Sequence, residues 1–190
     1  MKRQFKIKDT YLPVPAALIV CGTEPDYNII TLAWTGIVSS TPPALEISIH
    51  KKRHSLSLIK QTKEFTVNIP SADKYLETDY CGIVSGKNRN KFSDTGLTIF
   101  DSTKIKTPII KECPLNLECR VMQEIEIGDY TMIIGEILET HIDEDKFIDD
   151  KKVDIKKLNP LIYCSTIREY WSIGEKLGDG FKCGKELKIN

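Results

Sequence analysis

The chain has 190 residues, of which 41% are hydrophobic and 28% are charged, so it is long enough for one globular domain with a core of ordinary size. Lys and Arg together number 27, as do Asp and Glu. This balance gives no overall field that would draw the chain to nucleic acid or to an anionic membrane, so any anion site must be local. We expect a single domain over residues 1–190.

The termini and the cysteines indicate where the protein works. Residues 1–6 are charged, and no apolar stretch typical of a secretory signal follows them. The longest apolar run covers residues 16–21, whereas a membrane helix needs about 20 apolar residues. The six cysteines are scattered along the chain. We therefore expect a cytoplasmic protein with reduced thiols and no membrane partner.

Hydrophobic periodicity predicts strands along most of the chain. The clearest alternation places Leu45, Ile47 and Ile49 on one face of a strand over residues 44–50. The other predicted strands lie within residues 17–22, 29–38, 64–69, 115–121 and 130–140. At least six strands are expected.

Helical signals are few. Ser55 is predicted to cap a short helix over residues 55–61, a second helix is predicted within residues 72–81, and a third turn at residues 90–92. Many strands with few helices indicate a mainly β protein, namely a β-barrel or sandwich with flanking helices. Residues 143–157 are densely charged and are predicted to be a solvated connection. The tail from about residue 175 is expected to be mobile or to contact a partner.

A basic corner is the most informative feature. Five consecutive His, Lys or Arg residues, at positions 50–54, follow a predicted strand and precede the predicted cap Ser55. Backbone N–H groups and the helix dipole favour an anion at such a place. Arg53 adds a planar fork suited to phosphate. The alternative is a solvated corner without a ligand.

Two further features are ambiguous by themselves. Residues 85–92 form a second basic loop, but neither GxxxxGK[ST] nor GxGxxG occurs, so the sequence excludes a Rossmann fingerprint. Without other support this loop is a plain surface turn. Trp34 is predicted to be a core residue, and it becomes a ligand wall only if Thr31 and the basic corner lie beside it.

Motifs for metal binding and nucleophilic catalysis are absent. The sequence has no CxxC, HExxH or GxSxG motif, and His50 and His54 straddle a strand end rather than one helix face. Cys81 is predicted to be a buried structural thiol. We therefore predict no metal site.

An ordered series of short segments resembles the flavin reductase-like family, the FMN-binding split barrels that include the flavoredoxins. Residues 28–34 are similar to the family segment Asn-x-x-Thr-x-(Ser/Ala)-Trp, and residues 65–70 to a typical family strand. The Cys81-Gly82 and Ser85-Gly86 pairs, the Gly128-Asp129-Tyr130 turn and the Tyr170-Trp171 segment follow in the family's order. The resemblance covers most of the chain.

The resemblance implies a homodimer with FMN bound near the interface. It implies that residues 31–35 line the isoalloxazine and ribityl chain, that Arg53 and Ser55 bind the phosphate, and that Lys91 reaches the flavin or its phosphate. The full implied set is Thr31, Leu32, Ala33, Trp34, Thr35, Ser48, Ile49, His50, Arg53, Ser55 and Lys91.

Two departures from the family pattern bear on the activity. Ala33 stands where the family often has serine, and Tyr130 where it often has a histidine associated with the nicotinamide. Three functions stay open: an FMN-dependent oxidoreductase that uses NAD(P)H, an FMN-carrying electron-transfer protein served by a redox partner, and a non-redox module for a phosphorylated ligand. No catalytic residue is assigned, because the cofactor carries the chemistry.

Overall fold

The computed structural model describes residues 1–5 and 9–187. The single domain expected over residues 1–190 includes residues 6–8 and 188–190, which lie outside the described ones. In chain order the strands are β1 (Val14–Pro15), β2 (Ala17–Cys21), β3 (Asn28–Leu32), β4 (Thr35–Ser40), β5 (Pro43–His50), β6 (Glu64–Ile69), β7 (Ile99–Phe100), β8 (Ile109–Ile110), β9 (Leu115–Ile127), β10 (Tyr130–Ile142), β11 (Phe147–Asp149), β12 (Lys152–Val153), β13 (Ile162–Cys164) and β14 (Glu169–Trp171). The helices are α1 (His54–Thr62), α2 (Tyr75–Ile83), α3 (Lys91–Thr95) and α4 (Ile155–Leu158), with 3₁₀ turns at Ala72–Lys74, Glu144–Lys146 and Cys183–Glu186.

A seven-stranded antiparallel sheet, ordered β3-β2-β6-β9-β10-β5-β4, forms the centre of the fold. Its two edge strands, β3 and β4, follow each other in the chain and are separated only by Ala33 and Trp34. The N–H of Ser48 in β5 donates to the carbonyl of Trp34 at 3.0 Å. Because two residues carry the chain from one edge to the other, the sheet must curl into a barrel.

The predicted strands are all present, with one error of continuity. Residues 29–38 were predicted as one apolar strand, whereas the structure divides them into β3, which pairs with β2, and β4, which pairs with β5. A continuous apolar run does not show where a strand changes its pairing partner, so hydrophobic periodicity alone does not locate this break.

The main core fills the barrel interior. Leu45, Ile47 and Ile49 of β5 are at most 2% exposed, which confirms the face predicted for them, and Phe65 is fully buried among them. The opposite face of β2 and β3 packs a second cluster against the helices, including Cys81 of α2. Since β2 is buried on both faces, its sequence is continuously apolar rather than alternating.

The first helix begins differently from the prediction. Arg53 is the N-cap residue of α1 and makes no side-chain capping bond, so Ser55 lies in the first turn and is not the cap. The hydroxyl of Ser55 instead accepts a hydrogen bond from Nδ2 of Asn28 at 2.7 Å. Local sequence rules assign this hydroxyl to helix capping, but in the structure it makes a tertiary hydrogen bond instead.

The other two predicted helical segments are present. α2 covers most of residues 72–81, preceded by a 3₁₀ turn. α3 is longer than the predicted turn: the side chain of Asn90 caps it by accepting from the N–H of Ser93 at 3.1 Å, and Gly96 ends it with φ of 72°. This positive φ is one that glycine adopts without strain.

A long hairpin, β9–β10, occupies the middle of the sheet. β9 pairs with β6 on one side, and β10 pairs with β5 on the other, with Tyr130 directly opposite His50. Gly128, at φ of 55°, lies in the turn between the two strands. The hairpin therefore joins the half of the sheet that contains β3 to the half that contains β4.

The remaining elements lie outside this sheet. β1, β13 and β14 form a small sheet of their own. Residues 143–157, predicted as a solvated connection, are all exposed or half-buried, and they also contain the 3₁₀ turn at 144–146, the β11–β12 pair and most of α4, which the sequence did not predict. Short charged elements lack the length over which periodicity is visible.

A buried carboxylate joins β9, β10 and the loop after β7. The side chain of Glu118 is fully buried, accepts from the N–H groups of Thr103 and Lys104 at 2.7 and 2.6 Å, and lies 2.6 Å from Nε2 of His141. Burial raises the pKa of Glu118, but these donors outweigh burial and hold the pKa below its ordinary value of 4.5.

We expect acid to weaken the fold through this carboxylate. A carboxyl whose pKa is depressed on folding contributes stability above the unfolded pKa and loses it as the pH falls through the folded pKa. The free energy of unfolding should therefore decline below about pH 4.5. Urea unfolding at a series of pH values measures the slope. Glu118→Gln should flatten it, whereas Glu144→Gln, at an exposed carboxylate, should retain it; equal slopes in both variants would contradict the assignment.

Candidate functional site

The candidate site lies where β3, the corner after β5, the start of α1 and the loop after α2 converge. A cleft of about 80 Å³ opens there. Its walls come from Asn28 and Ile30 of β3, residues 52–55, residues 81–82 and 84–86, and Lys91 of α3. The two basic segments of the sequence, far apart in the chain, therefore face one cavity.

Asn28, Ser55 and Gly86 form the floor of the cleft. Asn28 and Ser55 are 5% and 1% exposed, and the amide of the first donates to the hydroxyl of the second at 2.7 Å. A Cβ on Gly86 would lie 2.0 Å from Oδ1 of Asn28. Because atoms cannot approach so closely, this floor requires glycine at position 86.

Lys91 is buried beneath the cleft. Its side chain is 4% exposed, and its Nζ donates to the carbonyls of Ile29 and Cys81 at 2.7 and 2.6 Å. Burial lowers the pKa of this ammonium. The two bonds tie α3 to β3 and to the end of α2, so Lys91 has a positioning role; contact with a ligand stays a prediction.

Arg53 stands at the mouth of the cleft. It is exposed, it lines this cleft and two adjoining pockets, and it makes no ion pair with a carboxylate of residues 1–5 or 9–187. Its N–H donates to the carbonyl of His50 at 2.9 Å, which fixes the sharp corner before α1. The guanidinium and the positive end of the helix dipole therefore act on the same space.

A pocket of about 170 Å³ lies on the other side of Arg53. The ring centroids of Trp34 and Tyr130 are 4.8 Å apart, and those of His50 and Tyr130 are 5.0 Å apart with nearly perpendicular planes. Trp34 is 37% exposed, so its prediction as a core residue was wrong. It lies in the link between the two edge strands, where its ring packs on Tyr130 instead of entering the barrel.

The structure brings most of the predicted site residues together. Those that line the cleft or the aromatic pocket are Thr31, Leu32, Ala33, Trp34, Ser48, His50, Arg53, Ser55 and Lys91. Thr35 lines a separate pocket of about 730 Å³, and its hydroxyl donates to the carbonyl of Glu46 at 2.7 Å. The side chain of Ile49 lies in the barrel core, because alternation along β5 turns only Ser48 and His50 toward the site.

Sequence reasoning missed two residues that shape the site. The sequence gives Tyr130 a place in a family turn but no role in the site, yet it is the aromatic partner of both Trp34 and His50. Asn28 belongs to the family segment at residues 28–34, but the sequence assigns it no role. Polar Asn28 beside an apolar run was an available signal, whereas the pairing of Tyr130 with His50 depends on strand register and has no local signature.

The described part of the chain holds neither a metal cluster nor a membrane-spanning helix, and its Cys81 thiol is buried. Within it, no cluster of three or more His, Cys, Asp or Glu residues is placed to hold a metal ion. No described helix has the length and apolar character needed to cross a membrane. Cys81 is fully buried, which confirms that prediction, and burial raises its pKa to about 11. A thiol with that pKa stays protonated near neutral pH and is a poor nucleophile.

Comparison with known proteins decides the family. Residues 10–172 match the model of the flavin reductase like domain. The chain belongs to the flavin reductase-like family. The structure resembles the flavoredoxin of Desulfovibrio vulgaris (Miyazaki F), with a TM-score of 0.92 and 34% identity over 97% of this chain and 100% of that one. It also resembles a flavoredoxin from Methanosarcina acetivorans, with a TM-score of 0.87 and 33% identity over 98% and 100% of the two chains.

A sequence relative from Archaeoglobus fulgidus, an uncharacterised protein, is 40% identical over 143 residues, which are 75% of this chain and 79% of the relative. The predicted resemblance and the mainly β split-barrel fold are therefore confirmed. The match to the flavin reductase-like domain contains every site residue described above, whereas the tail from about residue 175 lies beyond it.

Proposed function

We propose that this protein binds FMN and transfers hydride or electrons between NAD(P)H or a redox partner and a flavin or small acceptor. The observation that carries the proposal is the meeting of a cationic cleft and an aromatic pocket at Arg53. FMN has the matching parts, a terminal phosphate and a flat ring system. Membership of the flavin reductase-like family and the likeness to two flavoredoxins support it.

The cleft suits the phosphate. Its volume of about 80 Å³ is the size of a small polar group, and Arg53 presents a guanidinium at its mouth. The first turn of α1 supplies backbone N–H groups without helical acceptors and the positive end of the dipole. Buried Ser55 fixes this turn against β3 through Asn28.

The aromatic pocket suits the ring. Trp34 and Tyr130 form a tilted pair on its wall, and the β3–β4 link presents the backbone of Leu32 and Ala33 to it. The carbonyl of Trp34 is held by Ser48, so the link has a fixed shape. We propose that the residues implied from the sequence bind FMN here, with Ile49 contributing only backbone.

When bound, FMN supplies the hydride and electron transfer. The residues of the chain hold the phosphate, orient the ring and shield it from water. Lys91 contributes a fixed positive charge beneath the cleft. We assign no residue a proton-transfer role, so the protein acts through binding and electrostatics.

We further propose that the protein is a single-domain homodimer. β4 is an edge strand of the sheet, and its Ile37 and Val38 are 70% and 49% exposed. Exposed apolar residues on an unpaired edge favour association. This edge adjoins the pocket lined by Trp34, Thr35 and Gly36, so a second copy there would lie near the flavin.

A second candidate is an FMN-carrying electron-transfer protein that does not turn over NAD(P)H. Tyr130 favours it, because this residue stands on the wall of the aromatic pocket where the family often has a histidine associated with the nicotinamide. The two candidates share the cofactor and differ in the electron donor.

The visible absorption spectrum of the purified protein, followed by mass analysis of the molecule released on heating, tests the shared proposal. We expect a flavin spectrum and released FMN, or uptake of added FMN. A colourless protein that takes up no FMN would refute it and leave the module for another phosphorylated ligand. NAD(P)H oxidation in the presence of an added acceptor then separates the enzyme from the electron carrier.

A further inference from the structure

A large pocket adjoins the aromatic pocket at the link between β3 and β4. This acidic aromatic pocket, about 730 Å³ in volume, is lined in part by Asp9, Tyr11, Trp34 and Glu46. Ala33 and Trp34 line both pockets, so a molecule bound here lies next to the proposed place of the flavin ring. Ligand sites for small molecules measure about 300–1,000 Å³, so the volume suits a substrate.

The charge of this pocket is opposite to that of the phosphate cleft. Asp9 and Glu46 contribute two carboxylates, whereas no Lys, Arg or His is present among the described residues that line it. Neither carboxylate makes an ion pair with another residue of the described ranges. Two unpaired acids in one concave wall favour a cation. The sign of the charge therefore distinguishes the ligand of this pocket from the anionic flavin.

Glu46 is the more buried of the two acids. Its backbone carbonyl in β5 accepts from the hydroxyl of Thr35 at 2.7 Å, which ties it to β4. Its side chain is half-buried, and its Oε2 is buried with no hydrogen-bond partner among the described residues. Burial raises the pKa of Glu46, and a hydrogen bond from Ser48 offsets this only in part. Because a buried oxygen without a donor costs free energy, an N–H group of a ligand would stabilise this carboxylate.

Aromatic and proline side chains supply much of the remaining wall. The ring of Trp34 packs on Tyr130 in the neighbouring pocket and also lines this one. Tyr11, Pro13 and Pro15 add further apolar surface. The face of an aromatic ring attracts a cation that lies within about 6 Å of its centroid. Carboxylates beside ring faces therefore suit an organic ammonium ion, which has both a charge and an apolar body.

We propose that the acidic aromatic pocket binds an organic cation, namely an aromatic ring that carries an ammonium group, with the charge at Glu46 and Asp9 and the ring against Trp34. The inference rests on the proposed function only in naming the substrate class of the flavin site, since the binding itself needs the residues of the chain alone. Three features carry it together: acids without basic neighbours, a buried oxygen that lacks a donor, and aromatic walls.

Titrations of the full chain with benzylammonium, benzyl alcohol and benzoate test this proposal, because the three share a ring and differ in charge. Isothermal titration calorimetry at neutral pH measures the affinities with and without saturating FMN. Benzylammonium should bind about tenfold or more tightly than benzyl alcohol, as expected for hydrogen bonds to a charged group, and benzoate should bind most weakly. Glu46→Gln should remove the preference and leave the affinity for FMN unchanged, since this side chain lines neither the cleft nor the aromatic pocket.

Asp150→Asn is the matched control, since this exposed carboxylate lies between β11 and β12, outside the acidic aromatic pocket, and loses the same charge. It should keep the preference for benzylammonium. Equal affinities of the wild type for benzylammonium and benzyl alcohol would overturn the proposal, as would a preference that both Glu46→Gln and Asp9→Asn retain. A pocket filled by a second copy of the chain would bind none of the three probes, and that result also overturns it. Failure to bind FMN would instead refute the proposed function, and benzylammonium binding to the FMN-free chain would still report on the pocket.

Discussion

Replacing Arg53 with alanine is expected to weaken FMN binding by about 1.5–3 kcal/mol, or roughly 10- to 150-fold in Kd. The guanidinium stands at the mouth of the cleft with no carboxylate partner among the described residues, so its N–H groups are available to a ligand. Flavin fluorescence titration of wild type and variant measures the change.

Two comparisons make this experiment specific. Riboflavin lacks the phosphate, so Arg53→Ala should weaken its binding much less than that of FMN, although Arg53 also lines the aromatic pocket. Arg120→Ala removes an exposed arginine of β9 that lines none of the cavities of the site, and it should leave FMN binding intact. An equal loss for riboflavin and FMN would move Arg53 from the phosphate to the ring, and no loss for FMN would remove it from the site.

Gly86→Ala is expected to lower the free energy of unfolding by about 1–3 kcal/mol, the usual cost of overpacking, and to weaken FMN binding. The new Cβ would lie 2.0 Å from Oδ1 of Asn28, which is 5% exposed and cannot move away freely. Asn28 would be displaced from Ser55, and the floor of the cleft would lose its shape. Urea unfolding and FMN titration measure the two effects.

A double-mutant cycle isolates the clash. Asn28→Ala should cost less stability in the Gly86→Ala background than in wild type, because the alanine at position 28 makes room for the added methyl. Gly36→Ala serves as the control, since nothing lies within 4 Å of the Cβ position there. If the effects of positions 28 and 86 simply add, the steric explanation is wrong.

Much of the fold could be read from the sequence because its signals are local. The alternation of Leu45, Ile47 and Ile49 identified both a strand and the face that the barrel buries. Gly96 is a local signal of the same kind, since it ends α3 at a positive φ that few other residues accept. The ordered motifs then supplied the family, which no single segment could do.

The errors occurred where distant residues decide a local structure. The break at Trp34 depends on β3 and β4 lying at opposite edges of one sheet. Ser55 does not cap α1, because its hydroxyl is hydrogen-bonded to Asn28, 27 positions away. Tyr130 joined the site because the register of β10 places it opposite His50. The local sequence does not encode such pairings. The cleft residues, which belong to two basic segments visible in the sequence, were therefore easier to predict than the aromatic wall.

The central position of the β9–β10 hairpin has a consequence for synthesis of the protein on the ribosome. All eleven residues implied to bind the flavin precede position 92. Those in β3 lie in one half of the sheet and those in β4 and β5 in the other, and among the described residues only this hairpin joins the two halves by backbone ladders. A nascent chain that ends before β9 can pair β2 with β3 and β4 with β5, but it cannot hold the two halves in register. If the protein binds FMN as proposed, we expect it to do so only after β9 and β10 have been synthesised, although Tyr130 is the one residue of that half that lines the cleft or the aromatic pocket among the described residues.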